Sequence, residues 1–519
     1  MFRSRKIKAR AAALERETAG DEHASRGGGT ATAVLDRPED DEREGVPVVP
    51  PAQFPDMVRH WESLFDAPKR NRTLDKWGWY QPRATPQLTT TRQGEALNLA
   101  QFRRSENLRG LIGGVDLATR TPVIADGFAL YGANLQSINS TAIGDIGVAK
   151  TSIMITNIAR HLSLHRKVFN FDKKPQAGEG ELSKFARDLG VNSVRFGAGG
   201  TRLNLLDPMI VASSADLGAN APSSQQTLVK AVLEDAMGRG LSETETSALN
   251  AALLAVSAER TDRNVPTVPK LAERLLDPHP DDMRMFGRWS ERALDWGRDP
   301  GLALYRMCEG DLRGLVDGET TDDVTEALEH PFVHFDVSGL PEGGPAIRVV
   351  MTVLNTLVSN IALERSRKRL QTVQDIQEAW HVADGTTGAL VRRNLKLSRG
   401  LALATQTTFH RPSDFPEGSA AQSIMKENGI IFCYRQGRAK DAREVCEMFD
   451  FPPGTIDILM NLPRGVCLAK IGTAAPVVME HVRSPQEVVW TDTDEVITGR
   501  SVTGELWSAA ERMDAEAHA

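Results

Sequence analysis

ANLQSINSTAIGDIGVAKTSIMITNIARHLSLHRKVFNFD, residues 133–172, reads as a strand, a glycine-bearing loop, a helix and a second strand closing on Asp172. The loop is Gly144-Asp145-Ile146-Gly147-Val148-Ala149-Lys150-Thr151, followed by Ser152. This is the phosphate-cradling pattern G-x-x-x-x-G-K-[ST], with alanine at the last glycine position. Such a loop turns successive backbone N–H groups into one cavity, and the helix behind it adds its positive end. Lys150 would reach the terminal phosphates of a nucleotide, and the Thr151 hydroxyl would lie on Mg2+. If position 149 needs a positive φ, its Cβ costs about 1–2 kcal/mol. The competing reading is a Gly/Thr turn ahead of an ordinary helix. The strand–loop–helix–strand context favours nucleotide binding over it.

Around this stretch, 519 residues leave room for two or three domains, and 40% hydrophobic with 25% charged residues is ordinary globular composition. A net charge of −7 argues against a chain that coats nucleic acid generally, while leaving DNA in a local basic channel open. Cys308, Cys433, Cys446 and Cys467 form no C-x-x-C pair, so reduced buried thiols in a cytosolic chain are expected. No run of 18 or more apolar residues is present, and the basic start (Arg3, Arg5, Lys6, Lys8, Arg10) precedes no apolar segment. The expected location is therefore cytoplasmic, with any membrane contact peripheral and made through partners.

Residues 1–50 read as a disordered tail, with Gly27-Gly28-Gly29, an acidic run at 39–42 and the Pro-rich VPVVPP. An aromatic-rich arm follows over 51–95, carrying Trp61, Phe65, Trp77, Trp79 and Tyr80. Residues 96–222 and 316–495 read as two parts of one α/β domain, interrupted by a helical subdomain at 223–315. Residues 496–519 are a C-terminal tail. Strands at 332–337, 370–376, 400–405 and 429–434 alternate with helices, which predicts a mainly parallel sheet with its ligand at the strands' carboxyl ends. The loop at Gly144, Asp172, Asp336, Glu378 and Gln406 are all expected there.

Gln377-Glu378-Ala379-Trp380-His381 resembles the D-E-A-W segment closing the Walker B strand of conjugative type IV secretion ATPases, motors of the superfamily that includes HerA and FtsK. Other segments resemble the same family in the same order. They are F-x-F-D at 169–172, R-x-x-x-G-G at 195–200, L-N-L-L-D-P at 203–208, F-D-V-S-G-L at 335–340, A-T-Q-T at 404–407 and N-L-P-R-G at 461–465. The resemblance spans about residues 95–485. It implies a P-loop NTPase fold (RecA-like) with a mainly parallel sheet, the inserted helical subdomain and the disordered tail.

It also implies an ATP- and Mg2+-dependent ATPase that works as a homo-hexamer beside membrane-embedded secretion or conjugation channel proteins, with single- or double-stranded DNA as a further partner. Glu378 would activate water and Gln406 would sense the γ-phosphate. Arg435 and Arg464 are the candidates for an arginine acting across a ring interface. Gln377 stands where the family has the Walker B aspartate and supplies no negative charge to the metal. Asp336, with Thr151, is the expected metal ligand, and Asp172 is an alternative. Trp380 is read as core packing, and the histidines show no metal-ligand spacing.

Overall fold

The computed structural model describes residues 72–76, 109–132, 135–197, 200–211, 221–261, 264–310, 312–341, 344–377, 393, 395–412, 425 and 427–492. The tail at 1–50, most of the arm at 51–95, Glu378, Trp380, His381 and the tail at 496–519 lie outside the described residues. The chain divides into units at 1–86 and 87–519. The first contributes a short helix, Arg72–Lys76.

In the second unit the described strands are β1 (Ile112–Asp116), β2 (Pro122–Ile124), β3 (Ser140–Ile143), β4 (Lys167–Asp172), β5 (Pro175–Gln176), β6 (Glu179–Gly180) and β7 (Val194–Arg195). They continue with β8 (Phe332–Asp336), β9 (Thr372–Ile376), β10 (Leu403–Phe409), β11 (Ile430–Cys433), β12 (Val466–Ile471) and β13 (Val477–His481). All but the small β5–β6 hairpin form one sheet in the order β2-β1-β13-β12-β11-β3-β10-β9-β4-β8-β7. The seven strands from β11 to β7 run parallel. The four at the other end are antiparallel.

The central strands are buried along their whole length, as a parallel sheet covered on both faces requires. Alternation sorts their side chains. Ile143, Phe169, Phe171, Phe335 and Ile376 pack on one face with Val349, Val353 and Leu357 of the long helix Pro345–Arg367. Val168, Phe332 and Val373 face the other way, onto Ile155 and Ile158 of the helix Lys150–Ser163. That loop helix is fixed from behind by Arg160, whose guanidinium forks onto Glu487 of the helix Pro485–Trp490 at 2.8 and 2.9 Å.

Between β7 and β8 the chain builds helices Ala221–Met237, Glu243–Ala258, Val268–Leu276 and Arg298–Glu309, whose apolar faces join the same core. Ser242 caps the second of these in a reciprocal box with Glu245. The Arg239 hydrogen bond pulls the Glu245 carboxyl down to about 2.

Helix Pro345–Arg367 is long and apolar enough to cross a membrane by length and composition, although polar residues interrupt its apolar run. It serves as a core helix here. Two-thirds of its most apolar window is buried, and Asn355 accepts a 2.6 Å hydrogen bond from Gln374 of β9. Cys308, Cys433 and Cys467 are buried, whereas Cys446 is only half-buried, and burial raises the Cys308 thiol to about 12.

One strand differs from expectation. The run at 400–405 was expected to be the strand, ending on Gln406. Residues 395–401 are instead helical, and β10 occupies 403–409. The β-branched Thr405, Thr407 and Thr408 with Phe409 suit a pleated strand better than the Gly400-Leu401-Ala402 start does. Gln406 is thereby the middle residue of β10, not its carboxyl end.

Candidate nucleotide site

The 144–149 loop leaves β3 and is pinned by neighbouring backbone. Asp145 N–H donates to the Arg435 carbonyl at 3.1 Å, Gly437 N–H to Asp145 Oδ2 at 2.6 Å, and Gly465 N–H to the Val148 carbonyl at 3.4 Å. Gly144 is required by close approach, since a Cβ there would sit 2.6 Å from Tyr434 Cβ. Gly147 turns at φ 77°, and Ala149 also adopts the left-handed region, at φ 82° and ψ 28°. The loop thus has the backbone that a glycine at 149 would give, built with an alanine under strain. Ala149→Gly is expected to stabilise the chain by about 1 kcal/mol, the relieved strain exceeding the unfolded-state entropy glycine adds. Urea denaturation would register this as a higher midpoint with an unchanged slope.

Ala149 offers no side-chain cap to the fourteen-residue helix behind it, and no acidic residue lies in the first turn. No cap side chain and no first-turn carboxylate therefore competes with a phosphate for the positive end of that helix. Lys150 is 7% exposed. Its ammonium donates to the Gly144 and Asp145 carbonyls at 2.6 Å each and lies 3.2 Å from His410 Nδ1. Thr151 Oγ1 donates to Glu181 Oε2 at 3.3 Å. Ser152 is buried, and its carbonyl accepts from Thr156 Oγ1 at 2.7 Å.

Strand register arranges the polar residues in two rows on the face toward the loop helix. Asn170, Asp375, Gln406 and Ser140 are in register across β4, β9, β10 and β3. One step nearer the strand ends come Asp336 and Asp172, with Gln377 beyond the end of β9. The site residues fall out accordingly. Gln377 takes the strand-end position and is 3% exposed, its amide 3.5 Å from Asp375 Oδ2. Asp375 lies two residues deeper, fully buried, where desolvation lifts its carboxyl to about 7 against the Asn170 hydrogen bond of 2.7 Å.

Asp336 is engaged by other groups. Its oxygens accept from Ser338 Oγ at 2.5 Å, Ser338 N at 3.0 Å, Gly180 N at 3.0 Å and Arg195 Nε at 3.1 Å. Those hydrogen bonds hold the carboxyl below its usual range against the opposing cost of burial. Asp172 accepts from the Lys174 and Leu182 N–H groups at 3.2 and 2.7 Å. Both strand-end aspartates therefore clamp the β5–β6 hairpin. Gln406 lies mid-strand and level with Ser140, whereas Ile143 at the mouth of the loop is opposite Phe409. At about 3.3 Å per residue, the three-residue offset sets it roughly 10 Å below the loop. His410, the next residue after β10, meets Lys150 instead.

The fold is similar to that of solved structures. VirB4 of Thermoanaerobacter pseudethanolicus matches over 74% of this chain and 99% of its own, at 21% identity and TM-score 0.57. This chain shares its fold with VirB4. The bacterial conjugative coupling protein TrwBdeltaN70 matches over 75% of this chain and 91% of its own, at 13% identity and TM-score 0.46. No protein-family model and no curated protein matches the sequence.

Within this VirB4-like fold, Arg435 and Arg464 are exposed, on segments whose backbone holds the loop at Asp145 and Val148. Glu378 directly follows Gln377 and lies outside the described residues. Sequence reasoning missed Glu181 and His410. Glu181 sits in the aperiodic stretch KKPQAGEGE, with only its distance from Asp172 as a signal. His410 became visible only once β10 was placed at 403–409.

Proposed function

We propose that this chain is a motor ATPase of a conjugative type IV secretion apparatus. It hydrolyses ATP at the 144–152 loop to power channel assembly or the transfer of DNA or protein. The observation that carries this reading is the loop itself: a left-handed turn into an uncapped helix, with Lys150 and Thr151 at its mouth, on a fold shared with VirB4. The loop amides and Lys150 hold the triphosphate. Thr151 would help hold Mg2+, which when bound would neutralise phosphate charge. Glu378, next to the strand-end Gln377, takes the proton of the attacking water. Arg435 and Arg464, both exposed, would act on a neighbouring protomer's nucleotide in a homo-hexameric ring at the cytoplasmic face of the membrane, beside the channel proteins. The ring reading rests on the family resemblance and on the exposure of these arginines.

Gln377 favours a second reading, a nucleotide-binding scaffold of the same complex with little turnover. Steady-state ATPase of the parent chain against Glu378→Gln, with and without DNA, separates them. The motor reading expects turnover that falls at least 100-fold in the variant. DNA stimulation would mark a coupling-type translocase. Equal background rates in both chains would leave only the scaffold.

A further inference from the structure

We propose that Glu181 supplies the carboxylate for the divalent cation at Thr151, the part that Gln377 cannot play. The proposal rests on the nucleotide reading of the loop and deepens it. Glu181 is buried, with 1% of its side chain exposed. One oxygen, Oε2, is 3.3 Å from the Thr151 hydroxyl oxygen, while Oε1 accepts from Lys174 Nζ at 2.8 Å. Lys174 is surface-lying, with 42% of its side chain exposed.

The backbone around Glu181 is held unusually firmly. Gly180 N–H is bound by Asp336 and Leu182 N–H by Asp172, while Glu181 N–H donates to the Lys174 carbonyl at 2.9 Å. A Cβ at position 180 would fall 2.5 Å from Asp172 Oδ2, so only glycine lets the clamp close. The two strand-end aspartates are thus spent on residues 180 and 182, and what they position is the carboxylate between. Magnesium takes oxygen ligands in an octahedron at 2.0–2.1 Å, which sets adjacent ligand oxygens roughly 2.9 Å apart. The Thr151–Glu181 pair needs only a few tenths of an ångström to meet that spacing, or one ordered water to bridge it. The donor set, a hydroxyl and a carboxylate, is hard and suits Mg2+ better than a softer metal.

The test is equilibrium binding of a fluorescent ATP analogue to the full chain, across a MgCl2 series and in EDTA. For the parent chain Mg2+ tightens binding. For Glu181→Gln the Mg2+ concentration at half-effect rises at least tenfold, in the range that lost metal-site partners cost elsewhere. Adding Gln377→Asp to that variant returns the midpoint toward the parent value. Should Glu181→Gln fail to fold, Glu181→Asp keeps the charge one methylene further away and carries the same shift at smaller size. An unchanged midpoint in a folded variant that still binds nucleotide overturns the role of Glu181 and leaves the loop reading standing. A parent chain that binds no analogue in either condition overturns the loop reading itself.

Discussion

Asp375→Asn is expected to stabilise the chain at pH 8 by up to about 4 kcal/mol and to remove a fall in stability between pH 4 and pH 7. Asp375 is fully buried beneath the loop helix, and desolvation, with the nearby Asp172 charge, lifts its carboxyl from 3.8 to about 7. Across that window the unfolded carboxyl has lost its proton and the folded one keeps it. Folding there must take up a proton, so this group's contribution is whole at low pH and lost as pH rises through 7. Asparagine has the same shape and no charge to bury. Its oxygen can accept from Asn170, as Asp375 Oδ2 does now. Its N–H₂ would come among acceptors that lack partners, Asn170 Oδ1 and Gln406 Oε1 at the same register. Urea unfolding at pH 4.5 and pH 8 would show parent and variant together at the lower pH and apart at the higher. Parallel stability curves would show that the buried carboxyl is ionised in the fold.

The strand–loop–helix at 140–163 was legible because its pattern is written in spacing: glycine positions, one lysine and one threonine at fixed offsets between two apolar strands. Even the penalty at Ala149 followed from the residue type, and its φ of 82° meets it. The parallel sheet was legible from the buried runs at 168–171, 332–337 and 430–434, where both faces must be covered. Side-chain direction was not. A strand-end aspartate reads alike whether it faces a metal or a backbone amide, and Asp336 does the second. Gln406 was misplaced because Gly400-Leu401-Ala402 looks like a strand start, although the threonines that follow make the strand. Glu181 was unreadable because the short hairpin it follows, with strands of two residues each held by side chains from β4 and β8, has no periodicity of its own.

Lys150→Ala carries the largest functional effect expected. Its ammonium already stands at the mouth of the loop, 2.6 Å from two loop carbonyls, and would give charge-assisted hydrogen bonds to phosphate oxygens. Two such bonds, at about 1.5–3 kcal/mol each, make a 100-fold loss of affinity a conservative figure. The same truncation strips the Gly144 and Asp145 carbonyls of their donor, so a modest drop in melting temperature should accompany it. Affinity should therefore be compared at a temperature where both chains are folded. Calorimetric titration of the parent chain and Lys150→Ala with a non-hydrolysable ATP analogue and Mg2+ tests the proposed site most directly. A single binding isotherm for the parent, weakened at least 100-fold in the variant, is the result predicted. Equal affinity in the two folded chains, or no binding by the parent, would contradict it.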